Sequence, residues 1–387
     1  MCLTLDDVKI AARGLFEYET PKYVVIKNNV VGTINFTIQL TILLYTAFYA
    51  LWWERGYQET EVPVSAVTTK LKGIEYTNIS SVGPRIWDVA EYVVPPLEKD
   101  AFFLMTNMVV TPNQKLGKCD EDPEVAPCKR DSDCSAGQTT FGSNGRAVSG
   151  VMTGRCIPSS RNSSMTSCEV FAWCPVENDV PLLKGRPVLP GVENCTVLIK
   201  NYIVFPKFGV RRRTIPEDYA EKHLKTCRWN KDEEKYCPTF RIGDIINSIG
   251  ENFTELAYKG GVININIQWD CNLDYDPKYC LPLFTMRRVD EKTDIAPGLN
   301  FRHAYHYVEH GQPARTLIKA WGIRFVITVS GKGGKFSIAP TLRNIGAGLA
   351  LMAMASVVCD IVLRIWYRSS FEKEKYNEAK IMRLECC

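Results

Sequence analysis

Two stretches of the chain are long, apolar and almost free of charge. The first, 30–53, contains no Asp, Glu, Lys or Arg, and the second, 338–363, contains only Arg343 near one end and Asp360 near the other. A helix needs about 20 predominantly apolar residues to cross the hydrocarbon core of a bilayer. Both stretches therefore predict transmembrane helices.

Between these stretches the apolar positions alternate with polar ones. In "VININIQW", Ile263, Ile265 and Ile267 fall on one face of a strand, and the intervening asparagines fall on the other. "TLIKAWGIRFVITV" predicts another long strand, which runs almost directly into the second apolar stretch. We therefore expect one large β-rich domain at 54–337, which is long enough to bury a core of its own.

Cysteines are concentrated in this central part. Eleven of the fifteen lie between Cys119 and Cys280, a density typical of disulfide frameworks outside the cell. The region 119–174 holds six of them among many Gly, Ser and Pro residues, which predicts a small disulfide-stapled head subdomain. The spacing of cysteines leaves the connectivity open, since six of them allow fifteen pairings.

Glycosylation sequons and basic residues indicate the orientation in the membrane. Two spans place both termini on one side, and the basic C-terminal tail assigns that side to the cytoplasm. We therefore expect cytoplasmic segments at 1–29 and 364–387, a plasma-membrane location and an extracellular 54–337. The four sequons in that domain are the predicted glycosylation sites, at Asn78, Asn162, Asn194 and Asn252.

The charge balance argues against nucleic acid as a partner, because 47 Lys and Arg face 43 Asp and Glu. A few cations nevertheless share predicted strand faces. Lys70 and Lys72 are two residues apart, as are Asn300 and Arg302, and Lys319 lies on the strand before the second span. Such an arrangement indicates a site for a polyanion outside the cell. Unrelated surface cations would give the same pattern.

Several motifs resemble those of one family. They include "YETPK", "WERGYQ", "TKLKG", "CEVFAWCPVE", "CPTFRIGD", "NFR", "RTLIKAWGIRF" and "GGKF", and their order extends over about residues 16 to 383. In this order the chain resembles the ATP-gated cation channels, the trimeric ionotropic purinergic receptors. The resemblance implies a membrane protein with two transmembrane α-helices per subunit, a large β-rich, disulfide-stapled extracellular domain and a homotrimeric assembly.

The same resemblance implies the function and its residues. The chain would be a non-selective cation channel, opened by ATP bound between subunits and passing sodium, potassium and calcium. Its partners would be ATP, two identical subunits, the bilayer and the permeating cations. The ATP-binding positions would be Lys70, Lys72, Thr196, Leu198, Asn300, Arg302 and Lys319. The pore and gate positions on the second span would be Arg343, Ala347, Ala350 and Leu351. The disulfides would be Cys119–Cys174, Cys128–Cys156, Cys134–Cys168, Cys227–Cys237 and Cys271–Cys280.

Some positions depart from the family pattern or are not assigned by it. Cys195 stands where an aromatic residue is usual and is expected to be a free or partly buried thiol, with an intermolecular bridge as the alternative. Arg343 is a charge where relatives are uncharged, and it either faces the pore or pairs with an acid near the first span. No cofactor is expected, and divalent cations could modulate the channel, but no metal site is assigned. His303, His306 and His310 are interpreted as surface imidazoles, with a zinc-modulating site as the alternative.

Two other protein classes share parts of this pattern. An ecto-nucleotidase would need metal-held carboxylates beside the phosphates, whereas the site motifs supply cations and no acid. An acid-sensing or degenerin-type channel shares the topology, but its His-Gly motif near the first span and its Gly-x-Ser filter are not found. Both readings are therefore secondary to the ATP-gated channel.

Overall fold

The computed structural model describes residues 29–79, 83–139, 147–177, 182–215, 221–291 and 298–366. The described chain divides into two compact units. One unit comprises residues 60–334, and the other comprises the segments before and after them.

The described residues form fourteen strands, nearly all of which lie in the central unit. They are β1 Gln58–Glu61, β2 Val64–Lys72, β3 Glu75–Ile79, β4 Gly83–Trp87, β5 Ala101–Asp120, β6 Val151–Pro158, β7 Thr166–Cys174, β8 Thr196–Phe205, β9 Val210–Arg213, β10 Thr239–Arg241, β11 Gly261–Asn272, β12 Leu283–Arg288, β13 Asn300–Glu309 and β14 Gln312–Phe336. The α-helices are α1 Asn29–Leu44, α2 Val89–Tyr92, α3 Glu221–Thr226, α4 Ile242–Ser248, α5 Phe253–Lys259 and α6 Ile338–Trp366. A π-helical segment, Tyr45–Trp53, continues α1.

The strands of the central unit form two sheets and a hairpin. The larger sheet has the order β12-β11-β14-β5-β7-β6, and β13 pairs with the first part of β14. The smaller sheet has the order β10-β8-β2, with β9 also paired to β8, and β3 and β4 form the hairpin. β1 also pairs with β14. Apart from that pair, neighbouring strands are antiparallel except β11 and β14, which run parallel. The β-rich architecture is the one that the alternating pattern predicts.

The core lies between the two sheets and follows from that alternation. Ile263, Ile265, Ile267 and Trp269 on β11 are fully buried. The Trp269 Nε1 donates a 2.8 Å hydrogen bond to Asn201 Oδ1 on β8, so a polar pair inside the apolar core links one sheet to the other. A buried donor and acceptor that satisfy each other avoid the cost of losing their water.

The head region has its own small core and three disulfides. Met152, Val170 and Ala126 pack with the half-cystines, because short, polar strands alone bury too little apolar surface to hold this region together. The structure contains the five cysteine pairs that the resemblance implies: Cys119–Cys174, Cys128–Cys156, Cys134–Cys168, Cys227–Cys237 and Cys271–Cys280. Cys195 is free and buried, as expected.

The second unit contains two helices that are long and apolar enough to span a membrane, Asn29–Trp53 and Ile338–Val362. They pack directly on one another. A Cβ atom at Gly348 would approach the Thr46 side chain to 2.7 Å, and Asn344 Nδ2 donates to the Gly56 carbonyl oxygen at 2.6 Å. The glycine therefore allows a close helix–helix approach.

Candidate functional site

The two lysines of "TKLKG" project from the outer face of β2. Lys70 and Lys72 are exposed, while Leu71 between them packs against the core. The register of β2 on β8 places Lys70 opposite Leu198 and Lys72 opposite Thr196. On β8 the alternation buries Val197 and leaves Thr196 and Leu198 on the outer face with the lysines. The structure therefore brings four of the predicted positions together, and we call them the lysine half-site.

Both lysines border a cleft of about 390 Å³ beside β2. The chain turns behind them at Gly73, where a Cβ atom would collide with the Cys195 thiol. Tyr92 lies beneath this turn. Its hydroxyl donates to the Gly73 carbonyl oxygen at 2.9 Å and lies 3.5 Å from Cys195 Sγ. Cys195 therefore packs behind the lysine half-site, inside the core, and does not line its surface.

Burial determines the protonation states of Cys195 and Tyr92, which pack behind the lysine half-site. It raises the pKa of the Cys195 thiol, and it also raises the pKa of the Tyr92 phenol, with the neighbouring thiol adding to the effect. Both groups are therefore neutral near pH 7. They support the turn as a small packed pair and add no charge next to the lysines.

The other predicted positions lie on β13 and β14 of the larger sheet. Their register places Arg302 directly opposite Lys319, and Asn300 opposite Trp321. The Lys319 ammonium lies 5.0 Å from the centroid of the Trp321 ring, a cation–π distance. The structure therefore brings together Asn300, Arg302 and Lys319, and we call them the arginine half-site.

Arg302 has an acidic partner that sequence reasoning missed. Its Nε donates to both carboxylate oxygens of Glu177, at 2.7 and 3.0 Å. The Glu177 side chain is 19% exposed and that of Arg302 is 48% exposed. The site motifs themselves contain no acid, but the fold brings a carboxylate from outside them to Arg302. Glu177 is the last residue of "CEVFAWCPVE", but its 125-residue separation from Arg302 leaves no local signal of the pairing.

A cleft of about 400 Å³ lies beside this ion pair. Its wall includes Trp173 and Arg315, whose guanidinium carbon lies 4.6 Å from the centroid of the Trp173 ring. Arg315 Nε also donates to Gln114 Oε1 at 2.7 Å. This arrangement holds a second guanidinium in the wall of the same cleft as Arg302, so the cleft suits an anionic ligand.

The described residues give little support to a metal site. His303 contradicts the expected surface imidazole, because both of its ring nitrogens are buried and have no hydrogen-bond partner in the described part of the chain. Burial lowers its pKa, so the ring is neutral near pH 7. Among the described residues, the one His, Cys, Asp or Glu cluster tight enough for a metal ion is that of Cys128, Cys134 and Cys168, whose sulfur atoms are all in disulfides.

The predicted pore positions lie on the exposed side of α6. Thr341, Asn344 and Gly348 face the first span, since they bond or pack with residues of the segment that contains it. Successive residues of a helix turn by about 100°, so residues two or five positions away point toward the opposite side. The exposed positions there are Arg343, Ala347 and Ala350, with Leu351 exposed beside them.

The four sequon asparagines are exposed. Three of them use the side-chain Oδ1 in local hydrogen bonds. Asn162 accepts from Ser164, Asn194 accepts from Arg241, and Asn252 caps α5 by accepting from the Glu255 N–H. A glycan is attached through Nδ2, so these bonds leave the attachment atom available.

Comparisons with known proteins agree on one family. The family model "ATP P2X receptor" matches residues 16–383. P2X purinoceptor 4 of Bos taurus is 46% identical over 375 residues, covering 94% of this chain and 94% of that protein. Human P2X purinoceptor 5 is 41% identical, covering 95% of this chain and 82% of that protein.

Two solved structures are similar to this chain along almost their whole length. One is an invertebrate P2X receptor from the Gulf Coast tick, crystallised with ATP and Zn²⁺. It is 43% identical, with a TM-score of 0.79, and the match covers 85% of this chain and 99% of that one. The other is the chicken P2X7 receptor channel with the competitive antagonist TNP-ATP. It is 37% identical, with a TM-score of 0.73, and the match covers 86% of this chain and 99% of that one.

Proposed function

Because the chain belongs to the ATP P2X receptor family, we propose that it forms a homotrimeric cation channel opened by extracellular ATP. The family is one of receptors, so neither ATP hydrolysis nor acid sensing is needed to account for the site. The observation that carries the proposal is the presence of two cationic half-sites on the outer faces of two different sheets.

The two half-sites suit opposite sides of a subunit interface. ATP carries about four negative charges on a flexible triphosphate, and each half-site alone offers too few cations to neutralise it. Lys70 and Lys72 would follow a bent phosphate chain with compact ammonium groups, and Arg302 would add a planar fork of donors. Thr196 and Leu198 would contact the base and sugar, through a hydroxyl and an apolar surface respectively. ATP would then bridge neighbouring subunits whose bare cations repel each other.

Binding would be coupled to the pore through continuous backbone. Lys319 lies in β14, and β14 ends at Phe336, two residues before α6 begins at Ile338. A movement of the arginine half-site would therefore act on the pore helix without an intervening flexible loop. ATP opens the channel to the extent that it binds the open arrangement more tightly than the closed one.

The proposal also specifies where the channel lies in the cell and which ions pass through it. The two spans would cross the plasma membrane with both termini in the cytoplasm and residues 54–337 outside the cell. Sodium, potassium and calcium would permeate along the three copies of α6, whose exposed side carries the small residues Ala347 and Ala350. The crystallisation of a similar receptor with ATP and Zn²⁺ supports ATP as the agonist and a divalent cation as a candidate modulator.

The proposal is tested by recording whole-cell currents during application of ATP to cells expressing the chain. The variants are Lys70→Ala, Lys72→Ala, Arg302→Ala and Lys319→Ala. Each removes a charge-assisted contact worth about 1.5–3 kcal/mol, so the half-activating ATP concentration should rise about tenfold or more. Lys231→Ala is the matched control, since it removes an exposed lysine of the Cys227–Cys237 loop.

Surface biotinylation separates a loss of sensitivity from a loss of expression. The site assignment fails if all four variants reach the surface and respond to ATP like the wild type. The channel function itself fails if surface-expressed wild type gives no current at any ATP concentration.

A further inference from the structure

Arg343 is a guanidinium group near the start of a helix that is otherwise apolar enough to cross a membrane. The segment Ile338–Val362 is long and apolar enough to span a membrane, and the Arg343 side chain is exposed. Arg343 forms no hydrogen bond or ion pair within the described part of the chain. Glu61, one of the acids expected near the first span, instead accepts hydrogen bonds from the Lys207 backbone N–H at 3.0 and 3.1 Å.

The helix geometry settles which way Arg343 points relative to the first span. The side of α6 that contacts the first-span segment is defined by Thr341, Asn344 and Gly348. At about 100° per residue, Arg343 lies about 200° from Thr341. It therefore projects away from the first span, on the same side as Ala347 and Ala350.

A charged side chain on this side needs water or a protein partner. A guanidinium group in contact with lipid tails is costly, and charged residues in membrane spans mostly face a bundle interior or a water-filled cavity. The small neighbours Ala347 and Ala350 do not cover it. In a trimer, the side of α6 turned away from its own first span is available to line the central axis.

We infer that Arg343 and its two symmetry copies form a positive ring at the outer mouth of the pore, and that this ring disfavours divalent over monovalent cations. The inference rests on the proposed trimeric channel. Repulsion between a fixed charge and a permeating ion is proportional to the charge of the ion, so Ca²⁺ meets twice the electrostatic work that Na⁺ meets. Rings of basic residues also favour anions in other pores. The ring would therefore lower the Ca²⁺ to Na⁺ permeability ratio and raise the relative permeability of Cl⁻.

The test compares reversal potentials of ATP-evoked currents in bi-ionic Ca²⁺/Na⁺ solutions and in NaCl dilutions. Arg343→Gln removes the charge with a polar side chain, and Arg343→Lys retains it. Lys335→Gln is the matched control, because it removes an exposed cation from the same unit of the structure but not from α6. We expect Arg343→Gln to raise the Ca²⁺ to Na⁺ permeability ratio about threefold or more and to abolish Cl⁻ permeability. Arg343→Lys and Lys335→Gln should keep wild-type values.

Equal permeability ratios in wild type and Arg343→Gln would contradict the inference that Arg343 forms a ring around the pore. Arg343 would then face lipid or a neighbouring subunit. The proposed function would survive that result, since ATP would still open a current. A complete absence of ATP-evoked current in surface-expressed wild type would instead overturn both.

A cysteine variant keeps the test decisive if Arg343→Gln reaches the surface poorly. Arg343→Cys would be modified from outside by a cationic or an anionic methanethiosulfonate reagent during ATP application. The free cysteines in the described part of the wild-type chain, Cys195 and Cys359, are buried. Wild type treated with the same reagents is therefore the control for reaction at other thiols. The cationic reagent should lower the Ca²⁺ to Na⁺ ratio and the anionic reagent should raise it. Identical ratios after both reagents, with block or labelling proving that the thiol reacted, would contradict the ring.

Discussion

At the scale of single residues, the ion pair between Arg302 and Glu177 links the arginine half-site to the segment that directly follows the head region. The side chain proposed to bind ATP phosphate is already held by a carboxylate in the same chain. Because Glu177 is bound through Nε, ATP would either share that guanidinium with the carboxylate or displace it. Agonist sensitivity therefore depends on the difference between the two contacts rather than on the strength of the phosphate contact alone.

Neutralising Glu177 should make the channel more sensitive to ATP. Glu177→Gln preserves the size of the side chain and removes the charge that competes with phosphate. Partly exposed ion pairs are worth about 0.2–1 kcal/mol, so the half-activating ATP concentration should fall by roughly 1.5- to 5-fold. The measurement is an ATP concentration–response curve.

Glu309→Gln is the matched control for this prediction. It also removes a carboxylate from an ion pair, 2.7 Å from Lys115, but at the other end of β13 from Arg302. Its response curve should match that of the wild type. A higher half-activating concentration in Glu177→Gln would show that Glu177 positions Arg302 for ATP and does not compete with it.

At the scale of elements, a buried asparagine links the two sheets within the apolar core between them. Asn201 on β8 accepts from Trp269 on β11 and donates its Nδ2 to the Ala66 carbonyl oxygen on β2 at 3.1 Å. One asparagine thus joins three strands from two sheets. β2 carries the lysine half-site, so this contact also fixes the strand from which Lys70 and Lys72 project.

Removing the donor from this contact should destabilise the central unit. Trp269→Phe leaves the Asn201 Oδ1 buried without its partner, which costs about 1–3 kcal/mol. For a unit of this size that lowers Tm by roughly 2–4 °C per kcal/mol. The measurement is the temperature at which detergent-purified protein loses its size-exclusion peak.

Trp87→Phe is the comparison for this effect. Trp87 Nε1 donates to Thr77 Oγ1 at 2.8 Å, so the same substitution removes the same type of bond within the β3–β4 hairpin. Both variants should lower Tm, but only Trp269→Phe should also raise the half-activating ATP concentration. An unchanged Tm in Trp269→Phe would show that the contact between the sheets contributes little.

At the scale of the whole molecule, the extracellular assignment of the central unit has a direct chemical test. Asn78, Asn162, Asn194 and Asn252 should each carry a glycan in mammalian cells, because all four side chains are exposed. Partial digestion with N-glycosidase should give four mass steps on a denaturing gel. Single Asn→Gln variants should each remove one step. If digestion gave no mass shift at all, the central unit would not be extracellular, and the assigned orientation in the membrane would be wrong.

Sequence alone determined the architecture, because the signals for it are local or repetitive. Two apolar stretches were long enough to cross a bilayer, and strict alternation in "VININIQW" matched the two faces of a strand. The same alternation placed Lys70 with Lys72 on one face, as β2 has them. The ordered family motifs then supplied the disulfide pairs, which spacing alone left open.

Only the tertiary structure decided which distant residues meet. Glu177 lies 125 positions from Arg302, and the two ring nitrogens of His303 are buried although its strand pattern did not predict it. The side of α6 on which Arg343 lies was likewise undefined until contacts with Thr46 and Gly56 fixed the opposite side. The physical reason is common to all three. Side-chain environment depends on which surfaces pack together, and a one-dimensional pattern records periodicity but not the partner across the contact.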